Sequence, residues 1–111
     1  MRSLLLDEIA AADMDRLREH LARVLEPSNL GDVYWLNLPP DLLSAEQLAH
    51  AQSCGPHRLA VVLDGDCLRL EFLVRSAKGM RCPCIGYASK AQRDFALRFA
   101  DRLLEELAIG T

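Results

Sequence analysis

The sequence predicts an α+β fold: one domain over residues 1–111 in the order α-β-α-β-β-β-α, with a mostly antiparallel four-stranded sheet and three helices packed on one face. Three observations carry this. Apolar residues recur at helical spacings near both ends of the chain. Two Ser-x-x-Gln capping boxes mark helix starts at Ser44 and Ser89. An Asp64-Gly65 pair separates two β-type runs. Helices gathered on one side of an antiparallel sheet are the natural packing for such a set.

The first helix is predicted over about 4–25, where Leu5, Ile9, Met14, Leu17, Leu21, Val24 and Leu25 form an apolar stripe between Asp15, Arg16, Arg18, Glu19 and Arg23. If it breaks in the alanine run, Asp13 caps a second stretch. Pro27, Ser28, Asn29 and Gly31 end it. Residues 33–38 read as a strand closed by Pro39-Pro40, with Tyr34 and Trp35 on opposite faces, one for the core and one for solvent or a partner. The Ser44/Gln47 box opens a brief helix flanked by Leu43 and Leu48 at hydrophobic-staple positions, and Ser53-Cys54-Gly55-Pro56 stops it after about Gln52.

Next comes a hairpin of 58–63 and 66–74. With Asp64-Gly65 as a type I′ loop, Leu63 pairs with Asp66, Val62 with Cys67, Val61 with Leu68 and Leu59 with Leu70. Leu59, Val61, Leu68, Leu70 and Phe72 share one face; the other is mixed. A turn at 76–79 leads to a fourth strand at 80–87, which Pro83 places at an edge or bends. The Ser89/Gln92 box opens the last helix, whose stripe of Phe95, Phe99, Leu103 and Leu107 runs to near Gly110.

Composition narrows the class. Half of the 111 residues are apolar, 26% are charged and the net charge is −3, which excludes a disordered or fibrous chain. Such a chain buries roughly two-thirds of its unfolded surface, enough for a core without obligatory metal or disulfides. No apolar run reaches the roughly 18 residues of a membrane span, and residues 1–8 turn acidic too soon for a signal peptide, so a soluble cytoplasmic protein is expected.

Without a secretory context the four cysteines are expected to be reduced. Cys67 falls on the mixed hairpin face and reads as a small hydrophobe. Cys54-Gly55-Pro56-His57 and Cys82-Pro83-Cys84 each offer two soft ligands, so Cys54, His57, Cys82 and Cys84 make a candidate zinc set. Register argues against full convergence, because a fourth strand running straight back sets Cys84 a strand or more from His57. A thiol-redox reading of the same residues rests on Cys84 lying just before the helix start at Ser89, which would lower its pKa. His20 and His50 read as surface residues.

Charge is uneven, with −5 over residues 1–57, +4 over 58–98 and −2 over 99–111. Arg75, Lys78, Arg81, Lys90 and Arg93 form a candidate anion site. Nucleic acid is disfavoured as its ligand by the acidic pI of about 5.5 and the lack of interleaved aromatic and basic residues. Nucleophile motifs, paired carboxylates and glycine-rich phosphate loops do not stand out, which disfavours an enzyme. Leu4, Leu6, Val62, Leu73 and Ile85 lie off the core stripes. The leading expectation is therefore a non-catalytic protein-interaction module that associates with itself. Zinc or thiol-redox chemistry at the cysteines is the first alternative, and anion or nucleic-acid binding the second.

Overall fold

The computed structural model describes residues 2–78 and 81–110. Its elements in chain order are β1 (Ser3–Leu6), α1 (Ala11–Val24), β2 (Glu26–Pro27), β3 (Val33–Asn37), a 3-10 turn (Pro40–Leu42), α2 (Ala45–Ala49), α3 (Ala51–Cys54), β4 (His57–Asp64), β5 (Cys67–Glu71), β6 (Leu73–Ser76), β7 (Gly86–Tyr87) and α4 (Lys90–Glu106). The α+β class and the antiparallel sheet are as expected. Strand and helix counts among the described residues differ, with seven strands rather than four and four helices rather than three.

Most of the added strands come from two places. Residues expected to begin the first helix instead form β1, which pairs with β5 through Leu4↔Leu70 and Leu6↔Leu68. A run of three leucines satisfies a helical stripe or a strand equally well, and here the apolar partners on β5 decide. Glu8 at φ 56° turns the chain, and α1 starts after Ala10 without a side-chain cap. Further on, the expected 66–74 strand breaks at Phe72 into β5 and β6, and β6 continues along β4 to pair His57↔Ser76 and Arg58↔Arg75.

The hairpin register also shifts. Asp64 pairs with Cys67 and Leu63 with Leu68, so the loop is Gly65-Asp66 rather than Asp64-Gly65. Gly65, at φ +60°, takes the first loop position, as a type II′ turn requires. Each partner moves by two residues, which leaves every side chain on its expected face. Leu59, Val61, Leu68 and Leu70 all lie buried in the core.

The strand order is β1-β5-β4-β3-β2, with β6 paired to β4 and β7 paired to β6. One face carries Tyr34, Leu36, Leu59, Val61, Leu68 and Leu70 into a core completed by Met14, Leu17 and Leu21 of α1 and by Ala96 and Leu103 of α4. Each fully buried leucine contributes about 1.5–3 kcal/mol. Of α2 only Gln47 is buried. The staple does not close, since Leu48 is exposed. His20, expected at the surface, packs against α4 with Nε2 3.5 Å from Glu106.

The second sheet face carries the half-buried Val33, Trp35, Val62, Arg69 and Arg75 around a groove of about 280 Å³. Tyr34 is in the core and Trp35 on this face, under the Arg58 guanidinium at 4.2 Å, so the expected division of the two aromatics holds. Leu4 and Leu6 pack against the core, and Val62, Leu73 and Ile85 are half-buried. The apolar residues that suggested an interface are thus mostly absorbed by the fold. Among the described residues, no helix is long and apolar enough to cross a membrane.

Candidate metal centre

Two chain segments meet beside the β6 end of the sheet. The first is the α2–α3 pair, which breaks at His50, where φ is −100° and ψ 8°. The Cys54 N–H nevertheless donates to the His50 carbonyl at 2.8 Å, so the two residues keep helical i, i+4 spacing and share one face. Gly55 follows in close contact with the turn before it: a Cβ there would strike the Ala51 carbonyl. The Cys54 carbonyl accepts from Ser76 Oγ and from the Lys78 N–H, which fastens the end of α3 to β6.

The second segment is the loop between β6 and β7. The sequence reading placed Cys82 and Cys84 in a fourth strand, but pairing is limited to Leu73↔Tyr87 and Val74↔Gly86. Met80, where that strand was to begin, lies outside the described residues. Pro83 lacks the ladder donor, and Cys82-Pro83-Cys84-Ile85 forms a turn in which the Ile85 N–H donates to the Cys82 carbonyl at 3.0 Å. Freed from the sheet, the loop folds back onto α2 and α3. Its anchor is Gln47, the third residue of the α2 capping box, whose Nε2 donates to the Cys84 carbonyl at 3.3 Å.

The result is a cluster of His50, Cys54, Cys82 and Cys84, whose ligand atoms all lie within 4.8 Å of one another. Cys82 Sγ is 3.4 Å from Cys54 Sγ, 2.8 Å from Cys84 Sγ and 3.2 Å from His50 Nδ1; Cys54 Sγ is 3.9 Å from the same nitrogen. A tetrahedral zinc with bonds of about 2.0–2.3 Å has edges of about 3.3–3.8 Å, so these atoms need only small shifts to enclose one. All four cysteines are free thiols.

Cys84 is buried, which pushes its thiol up to about 12, with the bonds to Cys82 and Cys54 adding to the effect. Cys82 moves the other way, because the Cys84 thiol and then the Cys84 N–H donate to its sulfur. The redox reading expected a depressed thiolate at Cys84 from the nearby helix start. Burial outweighs that influence, and the lowered thiol is Cys82.

Three of the four sequence-derived ligands therefore converge, and the fourth is corrected from His57 to His50. Gly55-Pro56 carries the chain straight into β4, where His57 is 2% exposed and neither ring nitrogen has a hydrogen-bond partner among the described residues. Burial, and secondarily His50, lower its pKa. The sequence signal for His50 is its four-residue spacing from Cys54, which one helical turn brings to a common face. Cys67 stands apart, its thiol donating to Asp66 at 3.1 Å and held above the usual range by that bond.

The five cations of the anion reading are largely engaged locally. Arg75 lies on the sheet beside Glu71 at 3.5 Å, Lys90 pairs with Asp94 at 3.0 Å, and Arg93 donates to the Ala88 carbonyl at 2.8 Å. The Lys78 backbone serves the Cys54 carbonyl, and Arg81 is exposed on the cysteine loop. No protein-family model, curated protein or solved structure matches the chain.

Proposed function

We propose that the protein is a small zinc-binding domain whose Cys3His site is structural. The observation that carries this reading is the convergence of His50, Cys54, Cys82 and Cys84 from two separate segments into one volume. Three thiolates and an imidazole favour zinc over hard cations such as magnesium or calcium. Four protein ligands close the tetrahedron and leave no coordination position for a water, which fits a structural role and not a catalytic one. The metal would tie the α2–α3 segment to the cysteine loop. His57 supplies no ligand in this reading.

Metal analysis of protein purified without chelator tests it. The expected result is one zinc per chain, with only Cys67 titrating as a reactive thiol until a chelator exposes the other three. Cys54→Ser and Cys82→Ser should lose the metal, while His57→Gln should keep it. Four reactive thiols and no bound metal in the purified chain would overturn the proposal. The interaction role expected from the sequence finds separate support in the groove on the second sheet face, where half-buried Val33, Trp35 and Val62 meet Arg69 and Arg75.

A further inference from the structure

Among the described residues the strand order ends at β1, which pairs with β5 and with no second strand. The Phe72 N–H donates to the Arg2 carbonyl at 2.9 Å. Antiparallel ladders alternate, so Arg2, Leu4 and Leu6 direct their backbone groups toward β5, whereas Ser3 and Leu5 direct theirs outward. Edge strands that stay unpaired usually carry a lysine, a proline or a bulge, and Ser3–Leu6 has neither of those two residues. The opposite edge is blunted: β2 has two residues and ends on Pro27, which has no N–H. Leu5 is 52% exposed, next to the half-buried Leu4 and Leu6.

We propose that β1 pairs antiparallel with β1 of a second copy about a two-fold axis at Leu5, joining the two sheets into one. Leu5 exchanges both backbone bonds with Leu5 of the second copy. Leu4 then lies opposite Leu6 of the second copy on the core face, so the helices of both copies stand on the same side and their apolar layers become continuous. The ends of the strand select this register. Arg2, whose guanidinium lies 4.3 Å over the Tyr87 ring, comes to the end of the second copy's β1, where Glu8 turns the chain out of the strand. Sliding by one residue would turn the two core faces to opposite sides. Centring the axis on Leu4 or Leu6 keeps the faces but separates Arg2 from Glu8. The shared strand is short, so the dimer belongs to the weak, concentration-dependent class.

Sedimentation equilibrium of the zinc-loaded chain over a concentration series tests this, with circular dichroism and zinc content as controls on folding. The mass should rise from 12.4 kDa toward twice that value. Leu5→Pro removes an outward donor without touching the β1–β5 ladder and should hold the chain monomeric. Leu5→Lys keeps every donor but sets two like charges at the axis, and should act alike. Arg2→Glu should also abolish the dimer, and the charge-swapped Arg2→Glu/Glu8→Arg pair should restore it. A monomer up to about 1 mM, a dimer indifferent to both Leu5 substitutions, or a charge-swapped pair that stays monomeric would each overturn the proposal.

Discussion

His57 is a buried imidazole with neither ring nitrogen bonded. Unpaired buried polar groups cost about 1–3 kcal/mol, so His57→Leu should stabilise the fold at neutral pH by about 1 kcal/mol in urea unfolding, after part of the gain is lost to imperfect packing. The sign of its pH dependence follows from the lowered pKa. Between the folded value and the ordinary 6.5 the unfolded chain binds the extra proton, so the contribution of His57 to stability is constant above about 6.5 and declines as pH falls toward the folded value. The wild type should therefore lose more stability than His57→Leu between pH 7.5 and 5.5. Comparing the two in zinc-loaded form cancels the metal's own pH dependence, and equal losses would remove this account of His57.

At the scale of elements, the two capping boxes were legible because each is a local pattern. Both form, with Ser44 and Ser89 accepting from the N–H groups of Gln47 and Gln92. Their joint use was not legible: Gln92 Nε2 donates to Gln47 Oε1 at 2.9 Å and to the Leu42 carbonyl at 2.8 Å, while Gln47 reaches the Cys84 carbonyl. The two helix starts and the cysteine loop thus share one buried polar network. Gln47→Ala should cost about 2–4 kcal/mol, since it removes a cap bond and leaves buried partners unpaired. It should also weaken zinc binding about tenfold by freeing the Cys84 loop. Ser89→Ala removes a cap bond but leaves the Gln92–Gln47–Cys84 bonds in place, and should cost about 1 kcal/mol with zinc affinity unchanged. Urea unfolding and chelator competition read the two effects separately, and equal zinc affinity in both variants would show that Gln47 does not position the loop. The same limit explains β1 and the hairpin loop. Three leucines in a row, or a glycine flanked by two aspartates, fit more than one local solution, and the choice is made by residues on another strand.

For the whole molecule, the site depends on a long closure, because Cys54 and Cys82 are 28 residues apart and are joined through a loop that sequence pattern assigned to a strand. Cys-Pro-Cys was readable as a ligand pair, but where it would land was not, since that follows from how early β6 and β7 stop pairing. Zinc bound across this gap would act on the folded state as a cross-link, so a chelator should lower the thermal midpoint, with zinc restoring it. Protons must leave the sulfurs for the metal to enter. The Cys84 thiol, pushed up to about 12, is protonated throughout the physiological range, whereas the lowered Cys82 opposes the metal less. Each unit of pH lost therefore adds about 1.4 kcal/mol to the cost of displacing the Cys84 proton, which is about tenfold in apparent zinc affinity. Apparent zinc affinity should fall at least that steeply from pH 8 to pH 6, as measured by competition with a chelator of known pH behaviour. Affinity independent of pH would mean that the buried sulfur of Cys84 is not a ligand, and Cys84→Ser would then retain its metal.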